Sequence, residues 1–397
     1  MFTILYHDLL FIHSHYDDTN YLLILSSLFY DTIISYLSIQ STQWHTISSK
    51  QYTIYEDEVN NANADGLEHI VYCIEYILSK LPGLQIILSG TELHDNIMPY
   101  FCTMISDRLR AEPYLFNTYI RLLTAIAKTS TISANSVYSF IDKAPSELVS
   151  WPIMLHSLNE VEKLLQGETA QRGLLDQDLT GFIYILDLIT AVMKNATSCP
   201  NILSNMQIDT IQLFLRLLHQ PIHILLKSKI LAVCTCYAQQ PSYAMLLLSQ
   251  LEYGRILTND NTSGIRFEFT NIESQAGMYP LTSEFLRFII QLTHTCSIPT
   301  LMKSTCFPSI INFIFYCILN QIETRTNHPL RGGEKNEISC LCYQFISLLF
   351  SYFSTAYHDK ENPENHIILE RFCMILSEFL CFNEVMTQVS IISGFDV

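Results

Sequence analysis

The amino-acid sequence predicts an all-α fold, an α-solenoid or superhelix built from HEAT- and armadillo-like helix pairs. Two observations predict this fold. Apolar residues recur at helical spacing, and prolines interrupt the apolar runs at regular intervals. No stretch is long enough or biased enough in composition to be a domain linker. We therefore expect one continuous helical segment over residues 1–397.

Helical spacing is clearest in three segments, in which an apolar residue returns every three or four positions. Their apolar residues are Leu155, Leu158, Val161 and Leu165; Ile208, Ile211, Leu215 and Leu218; and Leu281, Phe285, Ile289 and Leu292. This period is typical of amphipathic helices. Gly167 supplies a stop signal after the first segment, and Ser204 with Gln207 forms a capping-box pattern before the second.

Prolines mark the expected helix boundaries, because proline inside a helix removes a hydrogen bond and clashes with the preceding turn. Successive members of one set lie about 20 or about 40 residues apart, intervals that match one helix or one helix pair of a HEAT or armadillo array. The set is Pro200, Pro221, Pro241, Pro280 and Pro299.

Three stretches interrupt the helical pattern. Residues 40–65 are polar and are predicted to form a long loop. Within residues 259–278, the alternation of apolar and charged residues at 265–269 predicts one extended segment. Residues 324–336 contain one proline and two glycines, and are predicted to form an exposed turn.

The charge balance favours protein partners over nucleic acid. The chain has 38 acidic and 22 basic residues, for a formal net charge of −16. Binding to phosphate backbones requires clustered Lys and Arg. Charged residues are also scarcer than the roughly 25% of typical soluble domains. We therefore expect a chain that buries much of its surface or covers it with partner proteins.

The mean hydropathy of +0.21 raises the alternative of a membrane protein. The longest apolar runs either contain Asp31 or fall short of the roughly 20 apolar residues that a spanning helix requires. No Lys or Arg precedes Lys50, so the positive flank that orients a membrane span is missing. We expect no integral membrane span.

The 12 cysteines are predicted to be reduced thiols in the protein core. There is no C-x-x-C motif, and the C-x-C pairs Cys234/Cys236 and Cys340/Cys342 lie within apolar helical runs. Free cysteine behaves as a small buried hydrophobe. Reduced thiols indicate the cytosol or the nucleus.

A search for catalytic, cofactor-binding and metal-binding motifs is negative: there is no phosphate loop, dinucleotide fingerprint, nucleophile elbow or H-E-x-x-H. The histidine- and aspartate-rich run at 13–18 is too closely spaced to face one ion. His219 and His223 have zinc-ligand spacing, but a proline lies between them. Asp176 and Asp178 point to different faces of a helix and are expected to begin one. We predict no enzyme and no cofactor.

The residues nevertheless resemble a known family. The segment 271–282, which ends in Tyr279-Pro280-Leu281-Thr282 and is followed by Phe285, resembles a stretch of the largest inner-ring scaffold nucleoporins of the nuclear pore complex. Further pieces that are similar to this family follow the same order along the chain. They are 113–115, 119–127, Val149-Ser150-Trp151, 221–231 with Lys227 and Ser228, 251–252, 306–313, Arg325 and 334–335. Residues 113–350 are thus family-like, and residues 1–110 match the family poorly.

The resemblance implies an α-helical superhelix at the nuclear envelope, within the nuclear pore complex, that supports nucleocytoplasmic transport. It implies other nucleoporins as partners: linker nucleoporin helices and short linear segments, and neighbouring scaffold subunits. The chain is several times shorter than full-length members, which indicates a partial-length or divergent member. Partner-binding residues do not carry over, because the matched pieces are packing elements. The family-like structural motif comprises Trp151, Tyr279, Pro280, Leu281, Thr282 and Phe285.

Two other functions remain open. Acidity and helix pairs are also features of HEAT-repeat nuclear transport receptors of the importin and exportin type. An enzyme with an unfamiliar active site would require a polar pocket with convergent titratable groups.

Overall fold

The computed structural model describes residues 116–143, 149–166, 176–196, 209–220, 222–253, 264–323 and 332–358. All regular secondary structure in these ranges is helical, which confirms the all-α prediction. The chain divides into two compact units, Met1–Thr210 and Ile211–Val397.

The first unit contains four described helices, and the helices from α5 onward belong to the second unit. The first four are α1 Phe116–Ala127, α2 Thr131–Lys143, α3 Trp151–Gln166 and α4 Asp176–Asn195. The others are α5 Thr210–His219, α6 Ile224–Tyr237, α7 Pro241–Tyr253, α8 Ile265–Glu268, a π-helical turn Phe269–Glu273, α9 Ser274–Ala276, α10 Pro280–Cys296, α11 Ile298–Lys303, α12 Phe307–Glu323 and α13 Gly332–His358.

Prolines begin several of these helices, as the sequence predicts. Pro241 and Pro280 are the first residues of α7 and α10, and Pro299 is the second residue of α11. Proline suits these positions because the first backbone N–H groups of a helix have no acceptor within it. The described residues of the three predicted amphipathic segments lie in α3, α5 and α10, and their apolar side chains that the structure describes are buried. Ile208 lies outside the described residues.

In the first unit, α1 and α4 pack side by side and run parallel. At their starts, a methyl group added at Gly181 would lie 3.3 Å from the side-chain oxygen of Asn117. At their ends, the Asn195 side-chain amide donates to the carbonyl of Ala127 over 3.1 Å. Helix α2 contacts both. A chain of alternating helices returns to the same direction at regular intervals, so this parallel contact is typical of helical-repeat packing.

In the second unit, α10 is the central helix: it contacts α6, α7, α11, α13 and the π-helical turn. Its longest contact is with α6. The Ser228 hydroxyl near the start of α6 donates to the carbonyl of Pro280, the first residue of α10, over 3.1 Å. Because the contact extends along both helices from these matching ends, α6 and α10 also run parallel.

The spacing of these parallel contacts departs from a regular HEAT pair. Asn195 and Ala127 are 68 residues apart, and Pro280 and Ser228 are 52 residues apart. A HEAT or armadillo repeat would place equivalent residues about 40 to 47 apart. Both spacings are longer than this period.

Three buried threonine hydroxyls are satisfied inside their own helices. Thr124, Thr190 and Thr293 are buried, and each donates to the carbonyl four residues before it over 2.8 Å. A buried polar group without a partner is costly, and this local bond removes the cost. The core can therefore include these threonines without a partner from another helix.

The extended segment predicted at 265–269 is wrong: these residues form α8 and the start of the π-helical turn. In a strand, Ile265, Phe267 and Phe269 would share one face. In the structure Phe267 is partly exposed, and Ile265, Phe269 and Glu273 are buried at spacings of four. Burial of this helical face outweighs the alternating pattern.

The turn predicted at 324–336 is also wrong in part, because its last residues, Gly332 to Asn336, form the first turn of α13. The remainder of that turn lies outside the described residues. So do other predicted features: the loop at 40–65, the cluster at 13–18, the capping box at Ser204 and Gln207, Pro200 and Pro221, and Arg325.

The cysteine prediction is confirmed for six of the described residues, which are buried and form no disulfide: Cys234, Cys236, Cys296, Cys306, Cys317 and Cys342. It is wrong for Cys340, which is exposed. Residues i and i+2 of a helix face different directions, so Cys340 points outward when Cys342 points inward.

Among the described helices, none combines the length and apolar character needed to cross a bilayer.

Replacement of the central Phe285 of α10 tests the importance of this core. Phe285 is fully buried and meets the ring of Phe313 edge to face, with centroids 5.5 Å apart. We expect Phe285→Ala to lower the free energy of unfolding by about 3–5 kcal/mol. The exposed Met245→Ala is the control and should change it by no more than about 0.5 kcal/mol. Urea unfolding followed by circular dichroism measures both, and equal effects would contradict the central place of α10.

Candidate functional site

The start of α10 is the most densely connected polar region that the structure describes. Here α6, the π-helical turn and α10 meet, and we call this region the α10 junction. It consists of Lys227, Ser228, Glu268, Glu273 and residues Tyr279 to Thr282.

The carboxylate of Glu273 caps α10. Tyr279 occupies the N-cap position with φ −125° and ψ 44°, and its side chain makes no capping hydrogen bond. The backbone N–H of Leu281 instead donates to Glu273 over 2.7 Å, and the N–H of Thr282 donates over 3.3 Å. The hydroxyl of Thr282 donates to the second carboxylate oxygen over 2.5 Å. Since Pro280 has no N–H, Glu273 satisfies the free donors of the second and third helical residues.

The π-helical turn places Glu273 in this position. The N–H of Ser274 bonds the carbonyl of Phe269, five residues back, as in a π-helix. The side chains of Thr270, Asn271 and Ser274 bond nearby carbonyls, and such bonds compete with regular α-helical pairing. Gly277 then reverses the chain with φ +64°, a conformation that side chains rarely adopt. Glu273 is thereby turned back onto α10.

Burial raises the pKa of Glu273 from its ordinary value of 4.5 to about 7, despite the hydrogen bonds from Thr282 and Leu281 that favour the charged form. The negative charge of Glu268 raises this pKa further. Helix N-termini attract negative charge, but removal of the carboxylate from water outweighs that attraction here. The capping group therefore changes protonation state near neutral pH.

A second buried contact joins the π-helical segment to α6. The Lys227 ammonium forms an ion pair with the Glu268 carboxylate, with the two side chains only 10% and 14% exposed. Desolvation makes a buried pair costly to form, but loss of one partner costs more, because the other charge stays buried alone. The neighbouring Ser228 bonds the first carbonyl of α10. These contacts tie α6 to the segment that caps α10.

An aromatic cluster underlies the polar contacts. Phe269 lies 5.5 Å from Tyr279 and 6.0 Å from Phe313, measured between ring centroids, and Phe313 meets Phe285 edge to face. Such arrangements stabilise a core beyond the burial of their area. The cluster joins the π-helical turn, α10 and α12.

Two buried thiols complete the surroundings of Glu273. Burial raises the pKa of Cys317 far above its ordinary value, and both the hydrogen bond to Cys342 and the negative charge of Glu273 act in the same direction. Both thiols are fully buried. Cysteines buried in apolar surroundings are chemically inert, so this pair packs as apolar core.

The structure brings five of the six predicted motif residues together at the α10 junction and its core. Tyr279, Leu281, Thr282 and Phe285 are buried there, and Pro280 supplies the carbonyl that Ser228 binds. Trp151 lies in the first unit instead. It is fully buried at the start of α3, stacks on Tyr138 with centroids 5.7 Å apart, and donates to the Tyr138 carbonyl.

Sequence reasoning missed the roles of Glu273 and Glu268. Glu273 caps a donor eight residues ahead, whereas the capping-box rule relates residues three apart. The sequence did contain a signal for these contacts. Glu273 is a charged residue within the family-like segment 271–282, and Lys227 and Ser228 lie in the family-like piece 221–231. In the structure, Ser228 of the piece at 221–231 bonds Pro280 of the piece at 271–282.

The arrangement has the properties of a structural anchor. Within the ranges described, no group of three or more His, Cys, Asp or Glu residues is placed to hold a metal ion.

The histidine and aspartate candidates of the sequence lie at helix ends. His223 caps α6 by accepting from the N–H of Leu225 over 3.2 Å, and His219 ends α5. Burial lowers the pKa of His219. Asp176 begins α4, as the sequence predicts.

Comparison with known families gives one match. Residues 147–396 match the family described as nucleoporin Nup188, N-terminal subdomain III. The matched range includes α3 and α4 of the first unit and the whole α10 junction, and it overlaps the predicted family-like region 113–350. A search of curated proteins finds no significant match.

The protonation of Glu273 should make stability depend on pH. Its pKa rises on folding, so its contribution is present below about pH 4.5 and is lost as the pH rises through about 7. The corresponding change in the free energy of unfolding is about 3 kcal/mol. Between pH 5 and pH 8, the free energy of unfolding of wild type should therefore fall by about 3 kcal/mol more than that of Glu273→Gln, which does not ionise. Urea unfolding at the two pH values measures both changes. An equal fall in the two proteins would contradict the assignment of this pH dependence to Glu273.

The buried ion pair predicts a large coupling free energy between Lys227 and Glu268. Lys227→Met leaves the Glu268 carboxylate buried without its cation, and should lower the free energy of unfolding by about 3 kcal/mol. The double variant Lys227→Met/Glu268→Leu removes both charges and should recover most of that loss. A double-mutant cycle in urea measures the coupling. The exposed pair of Lys163 and Glu160 provides a control with a coupling of no more than about 1 kcal/mol.

Proposed function

Because the chain belongs to the Nup188 nucleoporin family, we propose that it is a structural scaffold subunit of the inner ring of the nuclear pore complex. In this role it binds linker nucleoporin helices and short linear segments, contacts neighbouring scaffold subunits, and supports nucleocytoplasmic transport. The single observation that carries the proposal is the family match over residues 147–396. The Nup188 family is a family of scaffold nucleoporins, so the expected location is the nuclear envelope.

Composition supports a role in assembly. Only 15% of the residues are charged, and the net charge is −16. A low-charge surface leaves apolar area for partner proteins, and an excess of acidic residues disfavours nucleic acid. Helices that pack side by side can form grooves into which an amphipathic segment packs its apolar side.

The α10 junction supports the same role, because a scaffold needs helices that keep fixed positions relative to their neighbours. Each polar group there is used to hold one helix against another: Glu273 against α10, Lys227 against Glu268, and Ser228 against Pro280.

The alternative is a HEAT-repeat nuclear transport receptor of the importin or exportin type. Acidity and parallel helix packing are compatible with it, but the family match favours the scaffold. The two functions differ in one binding partner, since such a receptor binds the nuclear transport GTPase in its GTP form.

Proximity labelling and affinity capture in cells test the proposal. A tagged full chain should label and recover inner-ring nucleoporins, and purified chain should not bind the nuclear transport GTPase with GTP. The core variant Phe285→Ala serves as the control that reduces recovery through loss of fold, and Met245→Ala as the control that preserves it. Recovery of an unrelated complex, or GTP-dependent binding of the GTPase, would replace the scaffold by another function.

A further inference from the structure

In the first unit, the ends of three helices form one surface. Helices α1 and α4 run parallel, and the hydrogen bond from Asn195 to the carbonyl of Ala127 joins their ends. Only three residues separate α1 from α2, and these two helices pack together, so α2 runs back along α1 and begins beside the joined ends. We call the exposed side chains at this place the helix-end surface. Its residues are Lys128, Thr131, Ile132 and Lys194.

Hydrogen bonds within the turn between α1 and α2 hold this surface in place. The Thr129 hydroxyl donates to the carbonyl of Ile126 over 2.7 Å, and the N–H of Ser133 donates to the Ser130 hydroxyl over 3.1 Å. The Asn195 side chain fixes the ends of α1 and α4 in addition. A surface that is already ordered loses less conformational freedom when it binds a ligand.

The helix-end surface is positively charged. Lys128 directly follows Ala127, Lys194 directly precedes Asn195, and both lysines are exposed. Neither ammonium group forms an ion pair with an acidic residue that the structure describes. The sequence has no Asp or Glu within residues 116–141 or 188–208. This end of the unit therefore presents two positive charges, although the whole chain carries a net charge of −16.

An apolar side chain lies beside these charges. Ile132 is 61% exposed, more than any other large apolar side chain in the described ranges. It is the second residue of α2, and the turn that contains Lys128 leads directly into this helix. A ligand that covers Ile132 removes apolar surface from water, which favours binding without regard to charge. The surface thus combines one apolar contact with two cationic contacts.

We propose that the helix-end surface binds a short acidic segment of a partner protein, in which Asp or Glu residues flank one aliphatic side chain. The aliphatic side chain covers Ile132, and the carboxylates lie near Lys128 and Lys194. This inference rests on the proposed scaffold function, for which it specifies a binding surface and the chemistry of a partner segment.

The small extent of the positive charge explains why the ligand is a short segment. At physiological ionic strength, exposed charges more than about 8 Å apart are largely screened from each other. A short acidic segment therefore interacts mainly with the two lysines. A nucleic acid requires a longer track of Lys and Arg, and beyond this surface it would meet the acidic excess of the chain. The same surface of a second copy would bring two more lysines, and like charges repel.

Three short synthetic peptides test the proposal with the full chain. The acidic peptide has one Leu between two pairs of Glu, the second has Gln in place of every Glu, and the third has Ser in place of Leu. Fluorescence anisotropy measures their affinities. A carbodiimide then joins peptide carboxylates to lysines within contact distance as amides, and mass spectrometry identifies these lysines.

Two protein variants complete the test. Lys128→Gln/Lys194→Gln removes both charges from the surface. Lys163→Gln is the matched control, because Lys163 is also exposed in the first unit but already pairs with Glu160. All three substituted lysines are exposed, and circular dichroism checks that both variants keep their helix content.

We expect the acidic peptide to bind about tenfold more tightly than the Gln peptide and about fivefold more tightly than the Ser peptide. The double variant should bind it about fivefold more weakly than wild type, because two exposed ion pairs are lost. Lys163→Gln should leave its affinity unchanged. Cross-links to the peptide should form at Lys128 and Lys194 and not at Lys163.

Equal affinity for the acidic and Gln peptides, an equal loss in the control variant, or absence of cross-links at Lys128 and Lys194 would overturn the proposal. So would a single-stranded oligonucleotide or an anionic vesicle that displaces the acidic peptide at lower concentration than unlabelled peptide does. Capture of nucleoporins by the wild-type chain separates this proposal from the scaffold function. If the peptide fails and capture succeeds, only the helix-end surface is rejected; if the peptide binds and capture fails, the scaffold function is rejected.

Discussion

The start of α10 imposes the strongest constraint on the second unit. A helix that begins inside a protein leaves backbone N–H groups without acceptors, and burial of such groups is costly. Pro280 removes one donor, and the carboxylate of Glu273 accepts from the next two. The helix that contacts α6, α7, α11 and α13 can therefore begin in the core. The packing of these helices depends on that capping contact.

The contact determines the conformation of the segment before α10. Glu273 reaches the donors because a π-helical turn and the left-handed Gly277 direct it back toward Leu281. The segment is held in turn by the ion pair of Lys227 and Glu268. An ionisable cap gives the unit a pH dependence that a serine or asparagine cap would not. The family resemblance at 221–231 and 271–282 thus corresponds to two sides of one physical contact.

Periodicity was sufficient to predict the fold class and several helix starts. Pro241, Pro280 and Pro299 mark helix starts because proline chemistry is local. The cap by Glu273 could not be predicted, because its donor lies eight residues away through a turn that has no simple sequence signal. The alternation at 265–269 led to a wrong prediction of an extended segment. Ile265 and Phe269 are four residues apart, so they share a face in a helix as well as in a strand, and both are buried. Cys340 and Cys342 differ because only one face of α13 is buried, whereas Cys234 and Cys236 are both buried in α6.

Amide hydrogen exchange of Leu281 and Thr282 tests the capping contact most directly. First-turn amides of a helix usually exchange rapidly, because they have no intrahelical acceptor. If Glu273 accepts from them, these two amides exchange in the wild-type chain as slowly as those of Phe285 and Ile289 in the same helix. Exchange at the rate of a free helix end would contradict the account, since α10 would then begin without the buried carboxylate.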